Sequence, residues 1–258
     1  MFGGAACGCS SAPEPDPFVR VENGHFVLDG EPCYFVGTNF WYGPILGSEG
    51  PGGDRERLAR ELDTLAACGV KNLRVLVGAD GGPGVPSKIE PTLQYAPGKY
   101  NDELLDGLDY FLSELGQRGM KAVLYLTNSW EWSGGYSQYL AWCGAGKPAI
   151  PAIDGYEAYV EYVSRFIPSR EARALFADHV RFIVGRTNRY SGLKYTDDPA
   201  IFSWQICNEP RPFGEENKEA FAEWLAETAR LIRSLDANHM ISTGSEGFYG
   251  CEADMALT

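Results

Sequence analysis

A run of apolar and β-favouring residues, Ile201-Phe-Ser-Trp-Gln-Ile-Cys, ends abruptly in Asn208-Glu209-Pro210-Arg211. A strand buried on both faces reads as such a nearly unbroken run. A proline just beyond it stops the strand, because it has no N–H to donate. The pattern delivers an amide and a carboxylate together at a strand's C-terminal end. Other strand-like runs supply matching groups: Asn39, Trp41 and Tyr42 after the first, Arg74 in the second, Asn128, Trp130 and Trp132 after the third, and Glu246, Phe248 and Tyr249 after the fifth. A carboxylate, amides and a guanidinium ringed by aromatic side chains are the equipment for breaking a glycosidic bond. One carboxylic acid must protonate the leaving oxygen, and a second carboxylate must attack, or activate water, across an oxocarbenium-like transition state. A glutamate buried at a strand end can stay protonated near neutral pH, because desolvation raises its pKa. The neighbouring asparagine can hydrogen-bond the sugar 2-hydroxyl, a contact that strengthens in the transition state. Taken alone, an Asn-Glu-Pro triplet is more simply a solvated loop carboxylate, so the choice rests on the elements around it.

Those elements repeat one phrase. Residues 19–28 alternate apolar and polar side chains, Asp29-Gly30 signals a hairpin turn, and 32–39 reads as the first barrel strand. Asp54 can cap a helix whose face is Leu58, Leu62 and Leu65, and residues 70–77 follow as strand two. Asn101 can cap a helix carrying Leu104, Leu105, Leu108, Phe111, Leu112 and Leu115, followed by strand three at 120–126. A helix beginning at Ser169, with Leu175, Phe176, Val180, Ile183 and Val184 on its face, feeds strand four at Ile201. Helix 216–235, with Phe221, Trp224, Leu225, Ile232 and Leu235, precedes strand five at 240–243. Helices alternating with short buried strands mean βαβ units and a parallel sheet. An open doubly wound sheet and a closed β/α barrel both fit this count. The missing phosphate fingerprint and the long loops 39–53, 78–100, 127–153 and 208–215 favour a barrel, with function at the strands' C-terminal ends. Five strands are found where a (β/α)8 TIM barrel needs eight, so residues 18–258 are expected to be a catalytic domain incomplete at its C-terminus.

Acidic residues outnumber basic ones, 35 to 22, for a net charge of −13. That excludes polyanionic partners such as nucleic acid, and suits a neutral substrate. His25, His179 and His239 are far apart in sequence, so no metal site is expected. The glycine-rich stretch 78–84 lacks a phosphate-loop lysine and reads as a flexible loop. Glu131 and Asp80 read as solvated loop charges, Trp204 as core, and Trp142 as either core or cleft. Trp41 and Trp132 divide between loop packing and a site role. Cys33, Cys68 and Cys207 read as buried small hydrophobes, whereas Cys143 and Cys251 could pair in an oxidising compartment. No apolar run is long enough to span a membrane. Residues 1–17 read as a disordered tether. Its Ala-Ala-Cys7 resembles the end of a lipoprotein signal without the apolar segment, leaving acylation of Cys7 or Cys9 open.

Five stretches now carry a specific likeness: Phe35-Val-Gly-Thr-Asn39-Phe-Trp41-Tyr42, Asn72-Leu-Arg74-Val-Leu, Leu126-Thr-Asn-Ser-Trp130 with Ser133-Gly-Gly135, the stretch Ile201 to Arg211, and Thr243-Gly-Ser-Glu246-Gly-Phe248-Tyr249-Gly250. In this order they resemble glycoside hydrolase family 5, of the endo-β-1,4-mannanase type. The resemblance implies a (β/α)8 barrel of which about five units are present. It also implies a cofactor-free retaining hydrolase cleaving internal β-1,4 bonds of mannan, glucomannan or galactomannan. Such an enzyme is expected to be a secreted monomer, or one lipid-anchored at a bacterial surface. Glu209 matches the family's general acid/base, Asn208 its 2-hydroxyl ligand, Arg74 the arginine beside the nucleophile, and Trp130 a stacking tryptophan. Trp41 and Glu246 are expected to bind substrate. The family's nucleophile, a strand-seven glutamate, is expected beyond Thr258. Residues alone would nominate Glu246 as the second carboxylate, and the family argues against it. The alternatives are another family 5 specificity, such as a cellulase, and a carbohydrate-binding pseudoenzyme. If Arg74 has no site role, it is a buried ion-pair arginine.

Overall fold

The computed structural model describes residues 16–254, apart from the side chains of Tyr249 and Cys251. Most of the sequence-predicted tether, including Cys7 and Cys9, lies outside the described residues.

The chain enters through a small antiparallel sheet of β1 (Arg20–Glu22), β2 (His25–Leu28) and β3 (Glu31–Pro32). The run 19–28, expected as one strand, is broken by Asn23-Gly24, whose φ values of 50° and 79° make a tight turn like that at Asp29-Gly30. The first strand of the main sheet, β4 (Val36–Asn39), is accordingly shorter than expected. After α1 (Gly43–Gly47) and α2 (Arg55–Ala67), β5 (Val70–Leu76) pairs with β4 in parallel. A hairpin of β6 (Gln94–Ala96) and β7 (Lys99–Tyr100) leads into α3 (Asp102–Gln117) and β8 (Lys121–Tyr125). Helices α4 (Gly135–Trp142), α5 (Pro151–Asp154), α6 (Tyr156–Val163) and α7 (Arg170–Val184) precede β9 (Ile201–Gln205). Helix α8 (Lys218–Leu235) and β10 (Met240–Ser242) follow. The main sheet runs β10-β9-β8-β5-β4, and every neighbouring pair is parallel. All five C-terminal ends therefore open on the same face.

The helix starts are chemically specified. Asp54 accepts from the Arg57 N–H at 2.8 Å, Asn101 from the Glu103 N–H at 3.0 Å, and Ser169 from the Ala172 N–H at 3.2 Å. Each satisfies an N–H that has no partner within the helix. The leucine face of α3 and the apolar faces of α7 and α8 lie in one core with Leu73, Val75, Leu124 and Trp204. Each such side chain contributes about 1.5–3 kcal/mol when fully buried. Leu235, expected on the apolar face of α8, is instead exposed where that helix ends.

Several polar and cysteine expectations are corrected. Asp80 is buried, not solvated, and the stretch around it is held by backbone bonds from Asp80 to Ser133 and from Gly81 to Gln94. Burial pushes the Asp80 carboxyl well above its usual range, against the opposing Gly135 N–H and Lys88 charge. Cys207 is buried as expected, but Cys33 is half-buried and Cys68 exposed, because Cys68 caps the C-terminus of α2. Cys143 is a free, exposed thiol, and its expected partner Cys251 has its side chain outside the described residues.

At the N-terminal ends of the strands, Asp236 gathers a latch. Its Oδ2 accepts from Trp204 Nε1 and contacts His239 Nδ1, both at 2.7 Å, and His239 Nε2 meets the Asp198 carbonyl at 3.0 Å. Phe18 packs edge-on against His239, and Arg20 donates to the Asn238 carbonyl, so the entry segment is tied to this end.

His179 on α7 makes stability depend on pH. Burial lowers its pKa from 6.5 to about 4, so the folded chain holds it neutral. The unfolded chain binds a proton at the higher pKa. Stability present above pH 6.5 is therefore lost as pH falls towards 4, by up to about 3 kcal/mol. Urea unfolding at pH 7 and pH 4 should show that extra loss in the wild type and not in His179→Gln. Equal losses would remove His179 as the source.

Candidate active site

Arg74, on β5 opposite Asn39 of β4, is the organising cation. Its Nε donates to Gln205 Oε1 at 2.8 Å and its Nη2 to Asn208 Oδ1 at 2.9 Å. Its guanidinium lies 4.4 Å from the Tyr125 ring centroid. These partners are amides and a ring rather than a carboxylate, which sets aside the ion-pair reading. Burial lowers its pKa against the opposing Tyr125, Cys207 and Glu209, but a guanidinium keeps its charge in a protein.

Past the end of β9 the backbone pairing continues for four residues, through Glu209. Asn208 N–H donates to the Thr127 carbonyl at 2.8 Å, and Glu209 N–H donates to the Gly244 carbonyl at 3.0 Å. Glu209 then turns at φ 50°, in the left-handed region. Gly244 is required beside it, since a Cβ there would overlap the Cys207 carbonyl oxygen. Trp130 Nε1 donates to Glu209 Oε2 at 2.5 Å, and Ser129 Oγ donates to the Glu209 carbonyl. The half-buried Glu209 is thus held at its carboxylate and its carbonyl from the loop after β8, and at its N–H from the segment after β10.

The predicted residues do not all converge. Glu209, Asn208, Arg74, Trp130 and Trp41 line one cleft of about 520 Å³, together with Asn39 and Trp132. Trp41 is 40% exposed at its rim. Trp130, expected as a stacking platform, is already packed against Tyr159 at 5.8 Å and Arg211 at 5.0 Å. Glu246 is turned away into an ion pair with Arg211. Tyr42 also faces elsewhere, donating to Glu61 at 2.9 Å.

Other cleft residues were not singled out from sequence: Tyr125, Pro151, Tyr156 and, behind them, Gln205. Tyr125 and Gln205 sit in strand ends where side chains alternate, a signal that could have found them. Glu131, expected as a solvated loop charge, lines the cleft. Among the described residues, no group of three His, Cys, Asp or Glu is placed to hold a metal, and no helix is long and apolar enough to cross a membrane. The arrangement offers a carboxyl oxygen capable of moving a proton, two fixed amides and a buried cation, in an aromatic-lined cleft.

Comparison with known proteins gives this geometry a context. A family model described as GH family 5 beta-mannosidase-like matches residues 16–257. Mannan endo-1,4-beta-mannosidase 1 of Oryza sativa subsp. japonica is 32% identical over 236 residues, covering 92% of this chain and 50% of its own length. Mannan endo-1,4-beta-mannosidase 7 of Arabidopsis thaliana is 30% identical, with 93% of this chain and 52% of its own length covered. The chain thus spans about half the length of these curated relatives. A solved glycoside hydrolase family 5 mannosidase from Rhizomucor miehei superposes with a TM-score of 0.82 at 36% identity, covering 90% of this chain and 56% of that one. The endo-1,4-beta-mannanase of the same organism does so with a TM-score of 0.70 at 26% identity, covering 90% and 61%.

Proposed function

Because the chain belongs to glycoside hydrolase family 5, in its β-mannosidase-like group, we propose that it serves hydrolysis of β-1,4-mannosidic bonds with retention, Glu209 being the general acid/base. The observation that carries this is the convergence of Glu209, Asn208 and Arg74 on one cleft, with Trp130 bonded to the Glu209 carboxyl. Glu209 would protonate the glycosidic oxygen as the bond breaks, and later take a proton from the attacking water. Asn208 would bond the 2-hydroxyl of the sugar whose anomeric carbon reacts. Arg74 would favour negative charge beside that carbon, the place of a nucleophilic carboxylate. Trp41 at the rim would pack against the C–H face of a pyranose. The substrate is a mannan-type polymer, and a polymer of that size meets the enzyme outside the cell.

Retention requires a second carboxylate about 5–5.5 Å from the first. Among the described residues, Glu246 is committed to Arg211, and Glu131 lines the cleft with no partner role in the Glu209 network. The family's pattern puts this group on a later strand. We therefore expect residues 1–258 by themselves to leave mannan intact. Incubation of the purified chain with mannan and measurement of new reducing ends checks this. Release of oligosaccharides would mean that a carboxylate of this chain is the nucleophile, and Glu131→Gln and Glu246→Gln would then identify it.

A second reading has its own support. The Rhizomucor miehei protein called a mannosidase is more similar to this chain than that organism's endo-mannanase is, 36% against 26%. Removal of single mannose units from chain ends is therefore the rival to internal cleavage. The product pattern of the full-length protein separates them: mannose alone from the start for the former, mixed oligosaccharides for the latter.

A further inference from the structure

Asn128 has no part in the mechanism above, yet it lies at its centre. It is fully buried just past the end of β8 and forms a parallel bridge with Asn208. Its Oδ1 accepts twice, from Asn208 Nδ2 at 2.9 Å and from the Trp130 backbone N–H at 3.1 Å. Its own Nδ2 donates to Ser133 Oγ at 2.9 Å. The chain then folds back over it. Tyr136 N–H donates to the Asn128 carbonyl at 3.0 Å, and Gly135, at φ 49°, lies so close that a Cβ would overlap that carbonyl oxygen.

An asparagine amide has one oxygen and two N–H groups, and which way it points is settled by its partners. Here the partners leave no choice. Arg74 can only donate, so the atom of Asn208 facing it is the oxygen. The Trp130 backbone N–H can only donate, so the atom of Asn128 facing it is also an oxygen. That oxygen then takes one N–H of Asn208. The second N–H of Asn208 is the one left for the cleft, which Asn208 lines.

From this geometry we infer that Asn128 is a positioning residue: with Arg74 it fixes Asn208 as a hydrogen-bond donor towards the sugar, and through the Trp130 backbone it couples that donor to the residue holding Glu209. The sugar part rests on the glycosidase reading, whereas the fixed amide does not. A site whose donor is locked accepts a hydroxyl oxygen in one place only. Without Asn128, the Asn208 amide keeps only its Arg74 contact and can swing about it.

The test reads the amide directly, by NMR of the ¹⁵N-labelled 258-residue chain. In the wild type, the two side-chain Nδ2 protons of Asn208 should differ, the one bonded to Asn128 exchanging with water about tenfold more slowly. Asn128→Ala should abolish that difference. Asn128→Asp keeps the accepting oxygen, and Ser133 can turn its hydroxyl to donate, so the difference should return. A wild-type pair that exchanges equally, or a slow proton that survives in Asn128→Ala, would overturn the inference. Should Asn128→Ala fail to fold, the wild-type and Asn128→Asp spectra still decide. In the full-length enzyme, losses in kcat for Asn128→Ala and Asn208→Ala should not add in the double variant. Additive losses would overturn the coupling. A wild type without turnover would instead count against the glycosidase reading, and the amide spectra would stand.

Discussion

Glu209→Gln in the full-length protein is expected to lower kcat on β-1,4-mannan by roughly 10²- to 10⁴-fold, the usual worth of general acid–base catalysis. KM should change little. Glutamine has the same length, and its amide oxygen can still accept from Trp130 Nε1, so the cleft keeps its shape. What it lacks is a proton to give to the departing oxygen. A substrate whose leaving group needs no protonation, such as a dinitrophenyl β-mannoside, isolates that step. Its bond-cleavage rate should fall far less than that on mannan. Pre-steady-state and steady-state rates on both substrates check this. Equal losses on both would point to a damaged cleft, and full activity would remove Glu209 from the role.

Asp109→Ala is expected to be the most destabilising change, lowering the unfolding free energy by about 3–5 kcal/mol. Asp109 sits on α3 with its side chain completely buried. Arg186 clamps it with two bonds, Nε to Oδ1 at 2.8 Å and Nη2 to Oδ2 at 2.6 Å. Tyr195 OH adds a third at 2.6 Å. This cluster joins α3 to the connection between α7 and β9, so truncation strands a buried guanidinium and separates two elements of the repeat. Burial works against the Arg186 charge, and its bonds and charge contacts with Asp109 and Tyr195 together more than restore it. Urea denaturation followed by circular dichroism measures the loss. A loss below about 1 kcal/mol would show the pair behaving like a solvated one. Glu209→Gln should leave the urea midpoint in place, which separates the two variants cleanly.

Much of the site could be read in the sequence because strands deliver their last residues to a common face. Asn208 and Glu209 follow an apolar run and Arg74 lies within a strand near its C-terminal end, and the structure joins them. The helix starts at Asp54, Asn101 and Ser169 were equally legible, since a short polar side chain precedes a leucine-rich period. Helices α4 and α6 were not. The large buried side chains are mainly tyrosines, Tyr136 and Tyr139 beside Leu140 in α4, and Tyr159 and Tyr162 in α6, rather than a leucine stripe. In glycine-flanked segments such tyrosines read as loop or cleft residues. Asp80 was missed for a related reason: a carboxylate among glycines suggests solvent, and only the fold shows β6 and the Trp130 loop closing over it. The Trp130 side chain illustrates a different limit. Its type suggested a flat surface for sugar, whereas its N–H is what meets Glu209. Which end of an amphipathic ring is used depends on its neighbours, here Tyr159 and Arg211.

The left-handed backbone at Glu209, φ 50°, bears on how this lineage could decay. A side chain there costs about 1 kcal/mol or more relative to glycine, and β-branched residues fit worst. A descendant released from selection for catalysis would not drift freely at this position. Glycine, asparagine or aspartate would relieve or tolerate the turn, while valine, isoleucine and threonine would strain the β9 terminus that also carries Asn208. An inactive descendant should therefore be recognisable by glycine, asparagine or aspartate at position 209, with the turn itself preserved.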